Sequence, residues 1–119
     1  MKVASHKTLI VWQKAYELAL MVYKTTSTFP KEEQFSLISQ MRRAALSVPA
    51  NISEGYIRMT RKDQLHFYNI ALGSLTELEC YIEFSKDIGY TDQVNYQKAS
   101  GLHNEVLKLL RGFINSQRS

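Results

Sequence analysis

The chain has 119 residues, enough for one domain around one core, and its 45% hydrophobic and 22% charged residues exclude a disordered polymer. A single cysteine, Cys80, excludes an intramolecular disulfide, and no Cys/His cluster suggests zinc or implies any cofactor. No apolar run reaches the roughly 18 residues of a membrane span, so the expected setting is cytoplasmic, and the net charge of +4 points weakly to an anionic partner.

All predicted elements are helices. Leu9, Trp12, Tyr16, Ala19 and Tyr23 recur at three- and four-residue spacing, which predicts an amphipathic helix over about 9–27 with those side chains inward. The stretch Thr26-Ser-Thr-Phe-Pro30 ends it. Pro30 suits the first position of a second helix, where its missing N–H has no intrahelical partner to lose. Glu32 and Glu33 then place negative charge at the positive end of the helix dipole.

The second helix is expected over about 30–57, with Leu37, Met41, Ala45, Val48, Ile52 and Tyr56 on its inner face. That stripe crosses Pro49 without losing phase, so the chain is expected to stay helical there, kinked at the proline. A mid-helix proline leaves the Ala45 carbonyl without its N–H partner and costs roughly 3 kcal/mol. Ser47, Asn51, Arg42 and Arg43 are the nearby donors, unless a kink opens the carbonyl to water. Arg43 and Glu54 share a face but stand about 16 Å apart along the axis, too far to pair. Each therefore looks elsewhere, and the acidic third helix offers Glu77, Glu79 and Glu83 to the arginines. Arg42, Arg43, Asn51, Glu54 and Glu77 are read as a structural polar cluster around the proline.

Thr60 can cap a third helix over about 61–88, with Asp63 in the reciprocal position of a capping box. Its inner face is Leu65, Tyr68, Leu72, Leu75, Leu78 and Ile82. Gly73 in mid-helix is expected to admit another backbone closely, Cys80 to be a small core residue, and Gly89 to form a left-handed cap. Thr91 and Asp92 open a fourth helix over about 92–115, facing inward with Ala99, Leu102, Val106, Leu109, Leu110 and Phe113, and the tail from Ile114 is expected to fray. Short connections between four helices give one all-α domain over 1–119, an antiparallel up-down-up-down four-helix bundle. Helix one also carries Ile10, Val11, Leu18, Leu20, Met21 and Val22. That is more apolar directions than one inner face needs, and surplus apolar surface points to a partner.

Three stretches share a resemblance: VWQKAYELALMVYKTTSTFPKEE at 11–33, QMRRAALSVPANISEGYIR at 40–58, and FYNIALGSLTELE at 67–79. In this order and spacing, over about 9–90, they resemble the 23S rRNA intervening-sequence protein family. Trp12, Arg42, Arg43, Pro49, Asn51, Glu54, Gly55, Gly73, Ser74 and Glu77 belong to the pattern. The resemblance implies a four-helix bundle and a ring-shaped homopentamer. It extends to the accessory variability determinant proteins of diversity-generating retroelements, basic pentameric barrels that associate with a reverse transcriptase and with nucleic acid. It brings no catalytic residues, and so implies a scaffold rather than a reaction.

The residues themselves allow three functional readings. The first is RNA or DNA binding through Arg58, Arg61 and Lys62 at the turn between helices two and three. Lys2, Lys7, Lys14 and Lys24 near the N-terminus and Lys108, Arg111 and Arg118 near the C-terminus would add to it. A cyclic assembly would repeat these cations around a ring, and contact would be to phosphates and shape. Tyr56 and Tyr68 lie near enough to stack on bases, although tyrosines at helical spacing more often belong to a core. The second is a protein-binding assembly factor. The third is a metal-independent ribonuclease: Arg61 and His66 fit the short R-x4-H signature resembling that of all-α HEPN ribonucleases. Asp63-x-x-His66 is one approximate copy of the Glu-x-x-His ligand pair of di-iron bundles, and His6 and His103 stand alone, so no metal is expected. The expected function is a non-enzymatic, homo-oligomeric, nucleic-acid-binding scaffold.

Overall fold

The computed structural model describes residues 5–117. Four long helices account for most of them: α1 (Ile10–Thr26), α2 (Leu37–Tyr56), α3 (Arg61–Asp87) and α4 (Gln93–Ser116). Short 3-10 turns at His6–Thr8 and Lys31–Glu33 precede α1 and α2, and the described residues contain no strand. The connections are too short for parallel neighbours, so successive helices reverse. α1 packs on α2 and α4, and α3 packs on the same two, giving a four-helix bundle 49 Å long and 24 by 22 Å across.

Local chemistry sets the ends. The Thr60 hydroxyl accepts the Asp63 N–H at 3.2 Å to start α3, and the Asp92 carboxylate accepts the Asn95 N–H at 2.8 Å to start α4. α3 ends where Gly89 turns left-handed at φ +89°. The Gly89 N–H then donates to the Lys86 carbonyl at 3.0 Å and the Tyr90 N–H to the Ser85 carbonyl at 2.9 Å, the paired bonds of a Schellman cap.

The inner stripes of α2, α3 and α4 follow the predicted spacing, with Tyr56, Leu65, Leu72, Leu109 and Phe113 half-buried at their margins. α1 keeps part of its expected stripe, with Ala19 buried and Leu9 and Trp12 half-buried against the core, but its buried centre is turned toward the neighbouring aliphatic residues. Val11, Ala15, Leu18, Ala19, Val22 and Thr26 are buried, while Tyr16 and Tyr23 face solvent. Two stripes of equal period lie one residue apart on this helix. Burying the aromatic one would also bury two hydroxyls in need of partners. Burying the aliphatic one leaves those hydroxyls in water while α1 packs on α2, whose Ala44, Ala45 and Val48 are buried. The start of α2 also differs from expectation. Residues 31–36 form a 3-10 turn followed by a second hydrogen-bonded turn, with Pro30 preceding them rather than opening the long helix. Tyr90 holds this segment down: its hydroxyl donates to Glu33 at 2.8 Å and its ring packs on Phe29 at 5.3 Å. The C-terminal end is firmer than expected, since α4 runs to Ser116 and buries Ile114.

α2 continues for seven residues past Pro49, whose ring is buried. None of the expected donors reaches the Ala45 carbonyl. Asn51 Nδ2 bonds the Ser47 carbonyl at 2.8 Å and the Ser47 hydroxyl at 2.9 Å, and both arginines turn outward to other acceptors. Gly73 does not admit a neighbouring backbone: a Cβ placed there meets nothing within 4 Å. The tight position is Gly55, where a Cβ would stand 2.5 Å from Tyr68 Cε1. Cys80 is exposed rather than in the core. With Leu75, Leu78 and Ile82 inward, at about 100° per residue, positions 73 and 80 rotate out to solvent.

Candidate nucleic-acid interface

The antiparallel order brings the starts of α1 and α3 and the finishes of α2 and α4 to one end of the bundle. Lys7, Arg58, Arg61, Lys62, Lys108 and Arg111 gather there from four different elements, and Lys108 lies beside Thr8–Val11 across a groove between α4 and α1. The acids at this basic end are Glu54 and Asp63. At the opposite end Glu32, Glu33, Glu83, Asp87 and Asp92 are matched by Lys24, Lys31, Arg42, Lys86 and Lys98. The excess positive charge that looks scattered in the sequence therefore gathers toward one end of the 49 Å axis.

The candidate cations divide accordingly. Arg58 pairs with Glu54 at 2.6 Å, and its guanidinium lies 4.6 Å over the Phe67 ring. Arg61 is half-buried, while Lys62, Lys108 and Arg111 are exposed. Lys14 stands up the side of the bundle, 3.7 Å from Glu17 and 3.6 Å from Glu105. Lys24 is at the opposite end, beside Thr28, Asp92 and Asn95. Lys2 and Arg118 lie outside the described residues. Tyr68 is fully buried against Gly55 and Phe113, so it cannot stack on a base. Burial, with Tyr56 nearby, pushes its phenol up to about 12.

Between these cations lie two side chains that reading the sequence for charge missed: Ile57 is 65% exposed and Met59 96% exposed. The signal was available. Both fall after the stripe of α2 ends at Tyr56 and before that of α3 begins at Leu65, a place where turns are ordinarily polar.

The five residues read as one polar cluster form separate ties. Arg42 turns to α1, donating to Thr26 Oγ1 at 2.9 Å and to the Tyr23 carbonyl at 3.2 Å, with its guanidinium 4.6 Å over the Tyr23 ring. Arg43 bridges to Glu77 of α3 at 2.8 Å, and Glu77 also accepts from Tyr81 at 2.7 Å, which raises that phenol's pKa. Asn51 holds Ser47, whose hydroxyl meets that of Ser74 at 2.8 Å. Glu54 serves Arg58. These contacts fix α2 against α1 and α3 but enclose no common space.

Five positions on α3 place Arg61 and His66 about 140° apart around its axis, and His66 is exposed, set edge-on to Phe67 at 5.1 Å. No three His, Cys, Asp or Glu side chains gather as metal ligands among the described residues. His103 is instead a core residue, its Nε2–H donating to the Leu75 carbonyl at 2.6 Å, because that carbonyl can only accept. Outside the core, the displaced pKa values belong to Tyr–Glu pairs. The Glu33 carboxyl is held low by Ser36 and Tyr90, Glu83 is held low by Tyr96, and the partner tyrosines are raised.

Comparison with known proteins agrees with this architecture. A family model described as 23S rRNA-intervening sequence protein matches residues 7–112. A solved structure of a protein of unknown function from the S23 ribosomal protein family of Bacteroides thetaiotaomicron superposes with a TM-score of 0.79 at 28% identity. The match covers 88% of this chain and 98% of that one. No curated protein matches.

Proposed function

The chain belongs to the 23S rRNA-intervening sequence protein family, and from that premise we propose that it is a non-enzymatic, homo-oligomeric scaffold of the cytoplasm that binds RNA or DNA through the basic end of its bundle. The observation that carries this reading is the convergence of Lys7, Arg58, Arg61, Lys62, Lys108 and Arg111 from separate elements onto one end of the bundle. Such a surface recognises phosphate, and a ring of subunits multiplies the contacts. Four separate polar ties and a histidine spent on a core carbonyl supply no nucleophile or base facing a cleft.

A second reading has its own support. Tyr16, Ala19, Leu20, Tyr23 and Leu46 line an apolar depression between α1 and α2. Subunits of the same chain would cover it in a homopentamer. A protein partner such as a reverse transcriptase would cover it in the accessory role suggested by the likeness to diversity-generating retroelement proteins.

Fluorescence anisotropy of a labelled structured RNA and a labelled duplex DNA, titrated with the full chain at two salt concentrations, tests the main reading. The expected result is binding that weakens steeply with salt and is lost on charge reversal of Lys62, Lys108 and Arg111. Absence of binding at low salt, or binding insensitive to salt, overturns it.

A further inference from the structure

Resting on the nucleic-acid reading, we propose that the turn between α2 and α3 is a wedge for double-helical nucleic acid. Its cations engage phosphates on the two sides of a groove, while Met59, with Ile57 beside it, enters between two base steps and bends the duplex.

The argument begins with an anomaly. Met59 is 96% exposed and Ile57 65%, on a turn whose other members are Arg58, Thr60, Arg61 and Lys62. Neither side chain serves the core. Nor is the turn loose. The Arg58 N–H donates to the Gly55 carbonyl at 3.2 Å, the Arg58 carbonyl accepts from Gln64 Nε2 at 3.2 Å, and Thr60 caps α3. Arg58 is itself held by Glu54 and Phe67. Two apolar side chains are thus presented from a tied-down turn at the tip of a basic surface.

Three kinds of partner would cover such a tip, and magnitudes choose among them. A bilayer requires more: even a myristoyl chain, far larger than these two side chains together, holds a protein to a membrane only marginally. A second protein requires more as well, since a stable interface buries about 800 Å² on each side. A duplex does not. Phosphate contacts supply the affinity, and one inserted apolar residue, methionine among those used, suffices to unstack a step and kink the helix. Single strands are recognised instead by exposed aromatic platforms. Next to the turn itself Tyr68 is buried, Tyr56 half-buried, and Phe67 half-buried under Arg58.

The test uses the full chain and a duplex of about 24 base pairs with a central TA step, the kind of step most easily kinked. The duplex carries a donor and an acceptor at its ends and 2-aminopurine at the step. Wild type is expected to raise energy transfer and brighten the 2-aminopurine. Met59→Ala, and Met59→Ala combined with Ile57→Ala, are expected to abolish both signals and weaken binding roughly tenfold while leaving its salt slope intact. Circular dichroism of the variants should match wild type, since both side chains point into solvent. Binding without bending or unstacking overturns the wedge and leaves the scaffold reading standing, as does a double variant that bends the duplex like wild type. Equal or tighter binding to the unpaired strand also overturns it. So does loss on Met59→Asp of binding to phosphatidylserine vesicles with duplex binding unchanged, which would assign the tip to membranes. Failure to bind any RNA or DNA at low salt overturns the scaffold reading itself.

Discussion

Gly55 and Tyr68 are fitted to each other at the basic end. A methyl group on Gly55 would stand 2.5 Å from the Tyr68 ring and 3.1 Å from the Gln64 carbonyl, so either the ring or the α2–α3 approach must shift. Gly55→Ala is therefore expected to destabilise the fold by about 1–3 kcal/mol, read by urea denaturation. The Tyr68 hydroxyl is a different case. It is buried with no hydrogen-bond partner, so removing it relieves an unsatisfied group, and Tyr68→Phe should leave stability at neutral pH unchanged or raised. Its titration gives a second readout. The folded chain keeps this proton up to about pH 12, whereas the unfolded chain releases it near 10. The folded state thus binds the extra proton across that window, and stability falls as pH rises through it. Tyr81, Tyr90 and Tyr96, each raised chiefly by a glutamate partner, act in the same direction. Denaturation at pH 9 and pH 11 should show a smaller alkaline loss in Tyr68→Phe than in wild type. An equal loss would mean that the phenol is hydrated in solution.

At the scale of the helix, α3 carries a weakness with no return inside the chain. Gly73 sits near the middle of 27 helical residues with open space where its side chain would be. Gly73→Ala should stabilise the isolated subunit by about 1 kcal/mol, the ordinary helix-propensity difference. Destabilisation, or loss of assembly, would place another subunit's backbone against that face. How far the elements were legible follows from similar reasoning. α2 and α3 each have one apolar stripe, so their inner faces could be read directly, even across Pro49. α1 has two stripes of equal period, and periodicity cannot choose between them; hydroxyl solvation and close packing do. The start of α2 was misread because Pro30 followed by two glutamates is a sound local start signal. What overrode it was a tertiary contact, Tyr90 on Glu33, from 57 residues away. The cations at 58–62 could be read as one group from adjacency. Their union with Lys7, Lys108 and Arg111 depended on which ends of four helices coincide, and the exposure of Met59 on where two stripes stop.

For the whole molecule, the surplus apolar surface and the basic end bear on one another. The face shared by α1 and α2 shows Tyr16, Leu20, Tyr23 and Leu46 to solvent, a patch of the sort that monomers seldom leave bare. It lies along the side of the bundle, away from the cations at its end. Lateral contact through the side would therefore align several basic ends on one rim without covering them. Leu20→Asp with Leu46→Asp puts two charges into that contact while touching nothing in the core, so helicity should be kept. Sedimentation equilibrium is expected to give wild type about five times the chain mass and the variant the mass of one chain; a wild-type monomer would end the assembly reading. The same pair then separates the two parts of the function. The slope of log affinity against log salt counts the phosphates neutralised, at about 0.9 each on duplex DNA. If subunits share one duplex, the monomeric variant should show a markedly shallower slope as well as weaker binding. If it keeps the wild-type slope, one subunit makes the whole contact, and the ring serves something other than nucleic-acid affinity.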